Sequence, residues 1–193
     1  MRPVISNWKV YGLEESVAAS KYPFATNPDD CNAEITKTVV RLAQAPKGSG
    51  EDTFLNGIIC QFDLTLPIKV WTEAQRYSNL TFISSMSSMH CITKFDIDEQ
   101  CVPEVYECTK RQLKHDIAKY NESPSEEMFE QIIYNIPSGF CLTARMTTNY
   151  RQLKTIYSQR RKHRLRFWRE FCEELKHLPL SEFITGEEFT SWE

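Results

Sequence analysis

Two arginines in the most basic stretch of the chain, Arg160 and Arg164, stand where a helix would present apolar side chains. On an ideal helical wheel, Leu153, Ile156, Tyr157, Phe167, Trp168, Phe171, Leu175 and Leu178 share one face, and both arginines fall near its middle. A guanidinium there needs an anion, because burying it unpaired is too costly. Its fork suits carboxylate and phosphate equally. The readings are an internal ion pair, a helix broken near Arg160 so that the phase resets, or a pocket for an anionic ligand. The surroundings sharpen the question. Nine of the 23 lysines and arginines lie between Arg145 and Arg169, and no aspartate or glutamate occurs from Gln131 to Trp168. A net charge of -3 therefore conceals a strong internal polarity.

Other chemistry is thinner. The seven cysteines are odd in number and contain no C-x-x-C, which fits reduced thiols in a cytoplasmic protein. His90, Cys91, Cys101, Cys108 and His115 lack a paired-ligand spacing, so no metal site is expected. Lys47-Gly48-Ser49-Gly50 has too little of a glycine-rich cradle for phosphate and reads as a flexible loop. Ser78 to His90, with two Ser-Ser-Met units, reads as a partly buried polar loop.

Asn149-Tyr150-Arg151-x-Leu153, followed by Arg160, resembles the C-terminal signature N-x-R-x-L-x-x-x-x-x-x-R of the flavin-dependent thymidylate synthases at every named position. The resemblance runs from about Phe54 to Leu178 and is stronger to short, phage-type members than to the bacterial enzymes. It implies methylene transfer from a reduced folate to C5 of a pyrimidine deoxynucleotide such as dUMP, with hydride from FAD and NADPH as reductant. No protein nucleophile is required for that chemistry. It also implies a homotetramer in the cytoplasm, of the host if the chain is phage-encoded. By the same resemblance Asn149, Arg151, Arg76 and Tyr77 would meet the cofactor, and Glu73, Ser84, Ser88 and Arg160 the nucleotide. The family's second motif, R-H-R, is degraded here. Arg76 is kept, but Tyr77 and Ser78 replace its histidine and second arginine, Glu73 replaces a glutamine, and the serine segment holds no arginine. Two lost guanidinium contacts, worth about 1.5–3 kcal/mol each, put orthodox turnover in question.

The elements that must position these residues are legible in part. The chain is long enough for one domain with a real core, assigned to residues 1–181, followed by an acidic, loose tail at 182–193. No apolar run approaches a membrane span, and there is no signal-peptide pattern. Pro3 to Val10 reads as a strand. Phe54 to Leu66 is a longer one, with Ile58, Cys60, Phe62, Leu64 and Leu66 on one face. Helices are expected over Asn32 to Ala45, over Pro67 to Tyr77 (Val70, Trp71 and Ala74 inward), and over Pro103 to Asn121. Ser123-Pro124-Ser125-Glu126 reads as a capping box opening another, to Tyr134. Phe140 to Met146 reads as a strand feeding the basic helix, with Thr147, Thr148 and Asn149 as its cap candidates. The fold class is α/β in the α+β sense, a small mixed or antiparallel sheet with packed helices.

Three function classes compete. The first is the flavoenzyme. A catalytically silent relative that binds a nucleotide as sensor or decoy is the second. The third is a nucleic-acid module using Arg160 to Arg166, which the acidic remainder argues against. Phe167, Trp168 and Phe171 exceed what one helix of a small domain needs, which adds to the expectation of an oligomer.

Overall fold

The computed structural model describes residues 3–188. Strand β1 (Ile5–Tyr11) lies beside β2 (Ile59–Pro67), with β3 (Thr81–Ser85) and β4 (Cys141–Asn149) completing one antiparallel sheet in the order β1-β2-β4-β3. The period-two alternation in β2 dictates its centre. Cys60, Phe62, Leu64 and Leu66, with Ala144 and Met146 opposite on β4, are all at most 1% exposed. The other sheet face is polar. Arg145 donates to Asp63 Oδ1 (3.3 Å) and to the Asn7 carbonyl (2.7 Å), and the Thr65 and Thr143 hydroxyls are 2.9 Å apart.

Helices α1 (Leu13–Ala19) and α2 (Lys37–Ala43) follow β1, and α3 (Ile68–Ala74) springs from Pro67 at the end of β2. The expected inward residues of α3, Val70, Trp71 and Ala74, are buried. After β3 come the short α4 (Ser88–Cys91) and α5 (Ile97–Gln100), then α6 (Glu107–Glu122) and α7 (Glu126–Tyr134). These enclose a second small core around Ile92, Leu113, Ile132 and Phe140. The chain then runs through β4 into α8 (Tyr150–Arg160), α9 (Arg166–Glu174) and α10 (Glu182–Thr185). No helix among the described residues is long and apolar enough to cross a membrane.

Several expectations are corrected. Ser78 to His90 is not one partly buried loop: Thr81–Ser85 form β3, an exposed edge strand held by backbone pairing to β4. Leu80 before it is buried, and residues 86–88 after it are half-buried. The cap of α7 is Ser125, whose hydroxyl accepts from Met128 N at 3.2 Å, whereas Ser123 ends α6. Residues 54–56, expected in the strand, belong to a 3-10 turn (Thr53–Asn56) instead. The helix at Asn32 begins only after Thr36, which caps Val39 N. Of the segment expected as a loose tail, Glu182–Thr185 form α10 and the Glu187 carbonyl accepts from Gln44 Nε2 (3.0 Å). Phe183 and Ile184 of α10 are buried and Phe183 meets the Phe54 ring at 5.9 Å. Residues 189–193 lie outside the described residues.

Candidate functional site

The junction of β4 and α8 sets the geometry. Asn149 Oδ1 accepts from Gln152 N (2.8 Å), and Tyr150 N donates to the Ile58 carbonyl (3.0 Å), so α8 starts against the beginning of β2. Of the three cap candidates, Thr147 and Thr148 remain in β4 opposite Gln61 and Cys60, and only Asn149 caps. One residue further, Arg151 Nε donates to Asp52 Oδ1 at 3.0 Å. Lys154, a turn along the same face, donates to Asp52 Oδ2 (2.9 Å) and to the carbonyls of Ala43 and Ala45 (2.7 Å each). Asp52 is only 2% exposed. Arg151 Nε on one oxygen and Lys154 Nζ on the other thus satisfy the buried carboxylate and fix Arg151 by its Nε. Arg151 and Lys154 line a cavity of about 520 Å³, together with Lys47, Asn79 and Gln152.

A second cluster forms where α8 ends. Arg160 Nε donates to the Tyr77 hydroxyl (2.7 Å), and its Nη1 donates to Glu73 Oε2 (3.2 Å). The same carboxylate oxygen accepts from Trp168 Nε1 at 3.0 Å and lies 3.6 Å from His163 Nε2. The guanidinium also sits over the Trp168 ring, 4.6 Å from its centroid, and 5.5 Å from that of Tyr77. This arrangement needs the helix to break. Residues 161–165 separate α8 from α9, His163 N closes on the Arg160 carbonyl, and Arg169 Nη1 holds the carbonyls of His163 and Arg164 (2.7 and 2.8 Å). Arg160 is therefore paired internally, and the phase resets so that Trp168 returns beneath it. Arg164 does not lie on a core-facing stripe; it is exposed in the break. The eight apolar residues of the wheel are all buried, each helix turning its own share inward.

Tyr77, Arg76 and Arg160 line a cavity of about 350 Å³ with Lys47, Ser78 and Gln159, and it shares Lys47, Gln152 and Thr155 with the larger one. The structure thus brings Arg76, Tyr77 and Arg160 together and puts Arg151 next door. Glu73 stands behind Arg160, and Asn149 acts at the helix cap. Ser84 and Ser88 are in neither cavity: Ser84 is on the exposed edge strand opposite Arg145, and Ser88 opens α4. Asp52, Lys47, Gln152 and Thr155 were missed. The three-residue spacing of Arg151 and Lys154 was a usable signal, since two cations on one helix face call for a carboxylate. Cys60 and Cys172, pushed up to about 12 by burial, and Cys141, pushed up to about 11, are no nucleophiles near neutrality.

No protein-family model matches the chain, and no curated protein matches it. Solved structures do. The flavin-dependent thymidylate synthase ThyX of Helicobacter pylori, complexed with FAD and dUMP, superposes with a TM-score of 0.68 at 13% identity, over 96% of this chain and 97% of that one. A UMP/dUMP methylase, PolB of Streptomyces cacaoi bound with 5-Br UMP, gives 0.60 at 12% identity, over 91% and 88%. The chain, from its first strand to α10, has the fold of the flavin-dependent thymidylate synthases.

Proposed function

We propose that this protein transfers a one-carbon group to C5 of a pyrimidine deoxynucleotide such as dUMP, with FAD as cofactor, a reduced folate as methylene donor and NADPH as reductant. The observation that carries the reading is the pair of adjoining, cation-lined cavities, on a fold whose solved neighbours hold FAD and dUMP. The donor set fits both ligands. In the larger cavity Lys47, Arg151 and Lys154 stand against the single carboxylate of Asp52, a surplus suited to a pyrophosphate. The smaller has Lys47, Arg76 and Arg160 in its lining and no acid, which suits a nucleotide monophosphate.

Arg151 would hold the flavin, oriented by Asp52 and by the Asn149 cap, with Arg76 and Tyr77 bordering it. When bound, the flavin supplies the hydride. Arg160, rigid between Glu73, Tyr77 and Trp168, would stabilise negative charge on the pyrimidine carbonyls, a preorganised contact needing no rearrangement. Glu73 sets its position. Ser84 and Ser88 enter as contributions to a nucleotide site of a neighbouring copy, in a cytoplasmic homotetramer. Phe167, Trp168 and Phe171 are buried in their own chain and give that assembly no support. The half-exposed polar sheet face is the better candidate surface. Light scattering that returned the mass of one chain would remove the shared site.

A second reading, a silent nucleotide binder, is favoured by the internal pairing of Arg160 with Glu73. A visible spectrum of freshly purified protein and tritium release from C5-labelled deoxyuridylate separate the two. The flavoenzyme gives flavin bands and release, and the silent binder gives nucleotide binding without release. Arg151→Lys, which keeps a cation on Asp52, should lower FAD retention about ten-fold, since a point charge lacks the fork. A colourless protein that takes up no added FAD would sink the cofactor assignment.

A further inference from the structure

A further cavity, of about 570 Å³, shares no lining residue with the two already described. It opens where the α8–α9 break meets the start of α3 and the turn at Pro137–Gly139. Val70, Val102, Val105 and Phe167 make its wall apolar. Gly139 is required for that wall: a Cβ there would stand 2.5 Å from Val105 Cγ2 and 2.8 Å from Val102 Cγ2.

The rim is cationic. Arg166 is engaged by Glu104 (3.4 Å) and Glu170 (3.7 Å) and stacks on Phe167, and Lys69 lies 3.7 Å from Glu73. Arg169 bonds only to neutral partners among those described above, the carbonyls of His163 and Arg164. Among the described residues no carboxylate pairs with Arg164 or Arg169, although both line the cavity. Glu104 is the one acid in the lining, and Arg166 already neutralises it. The result is a hollow within the ordinary size range of ligand sites, apolar inside and positive at the mouth. Arg169 organises the break that presents Arg164, so the charge is held in place by the fold.

We propose that this cavity binds a small organic anion with an aromatic body, its carboxylate or phosphate at Arg164 and Arg169 and its ring against Val102, Val105 and Phe167. The inference needs neither flavin nor nucleotide, so it stands or falls apart from the proposed activity. The probe is naphthalene-2-carboxylate, titrated into the full chain by calorimetry, with the uncharged naphthalene-2-carboxamide as its partner. The carboxylate should bind saturably and at least about ten-fold more tightly than the amide. Arg164→Ala should remove that advantage and leave the amide unchanged, whereas Arg161→Ala, outside the cavity, should alter neither. Val105→Trp should fill the hollow and abolish both. If its thermal melt shows that Val105→Trp fails to fold, the exposed Arg164→Ala carries the decision. Saturating deoxyuridylate should not compete. No saturable binding, equal affinity for acid and amide, indifference to Arg164→Ala, or displacement by deoxyuridylate would each overturn the proposal.

Discussion

Arg160 concentrates two demands in one side chain. Its guanidinium bridges Tyr77 and Glu73 and covers Trp168, at 17% side-chain exposure. Removing it would leave the largely sheltered Glu73 carboxylate with the indole N–H of Trp168, His163 at 3.6 Å and Lys69 at 3.7 Å. Arg160→Ala should therefore cost about 1–3 kcal/mol of stability, read as a lower urea midpoint at unchanged slope. Arg160→Lys should recover little, because a single ammonium cannot meet the hydroxyl, the carboxylate and the ring together. Arg161→Ala, exposed and one residue on, should stay within about 0.5 kcal/mol. The same variants titrated with deoxyuridylate decide what the pair is for. A ten-fold or greater affinity loss per folded molecule marks Arg160 as a ligand contact as well. Loss of stability with affinity intact reduces it to an internal ion pair.

At the scale of elements, the start of α8 governs where Arg151 and Lys154 emerge, and its cap is one side chain. Asn149→Ala should cost about 1 kcal/mol, and Asn149→Asp or Asn149→Ser should restore most of it, as thermal melts would show. An unchanged melt in the alanine variant would mean that the link from Tyr150 N to the Ile58 carbonyl alone fixes the helix start. Asn149 was readable in the sequence because capping is local. So was β2, whose alternation is set by one buried face, and so were the inward residues of α3. β3 was not, because an exposed edge strand buries no side-chain face and serine-rich sequence carries no alternation. The break after Arg160 was open among alternatives for a related reason. Its cause is Arg169 reaching back to two carbonyls, and a helical wheel describes only an unbroken helix. Least legible was the partnership of Arg151 and Lys154 with Asp52, about a hundred residues earlier. The spacing shows that an acid is wanted but not which one.

At the scale of the whole molecule, the two cores hold most of the cysteines as buried thiols. Burial pushes Cys60 and Cys172 up to about 12 and Cys141 up to about 11, and it raises the Tyr150 hydroxyl well above its ordinary value. In the unfolded chain the thiols would titrate at their ordinary value of 9.0. Each raised group stabilises the fold fully below that pH, where both states hold the proton. Between about 9 and 12 the unfolded chain releases protons that the native state still holds, so stability falls as pH rises through this window. Each such thiol should contribute a slope of about 1.4 kcal/mol per pH unit. Urea unfolding in reductant should give a nearly flat stability from neutrality to about pH 8, so far as these groups are concerned, and a steep decline above about pH 9. The assignment rests on a difference: Cys60→Ala should flatten the decline by one group's share, whatever its cavity costs at neutrality. Cys108→Ala, at an exposed position, should not alter it. Parallel declines in all three proteins would show that the buried thiols do not set the alkaline limit of the fold.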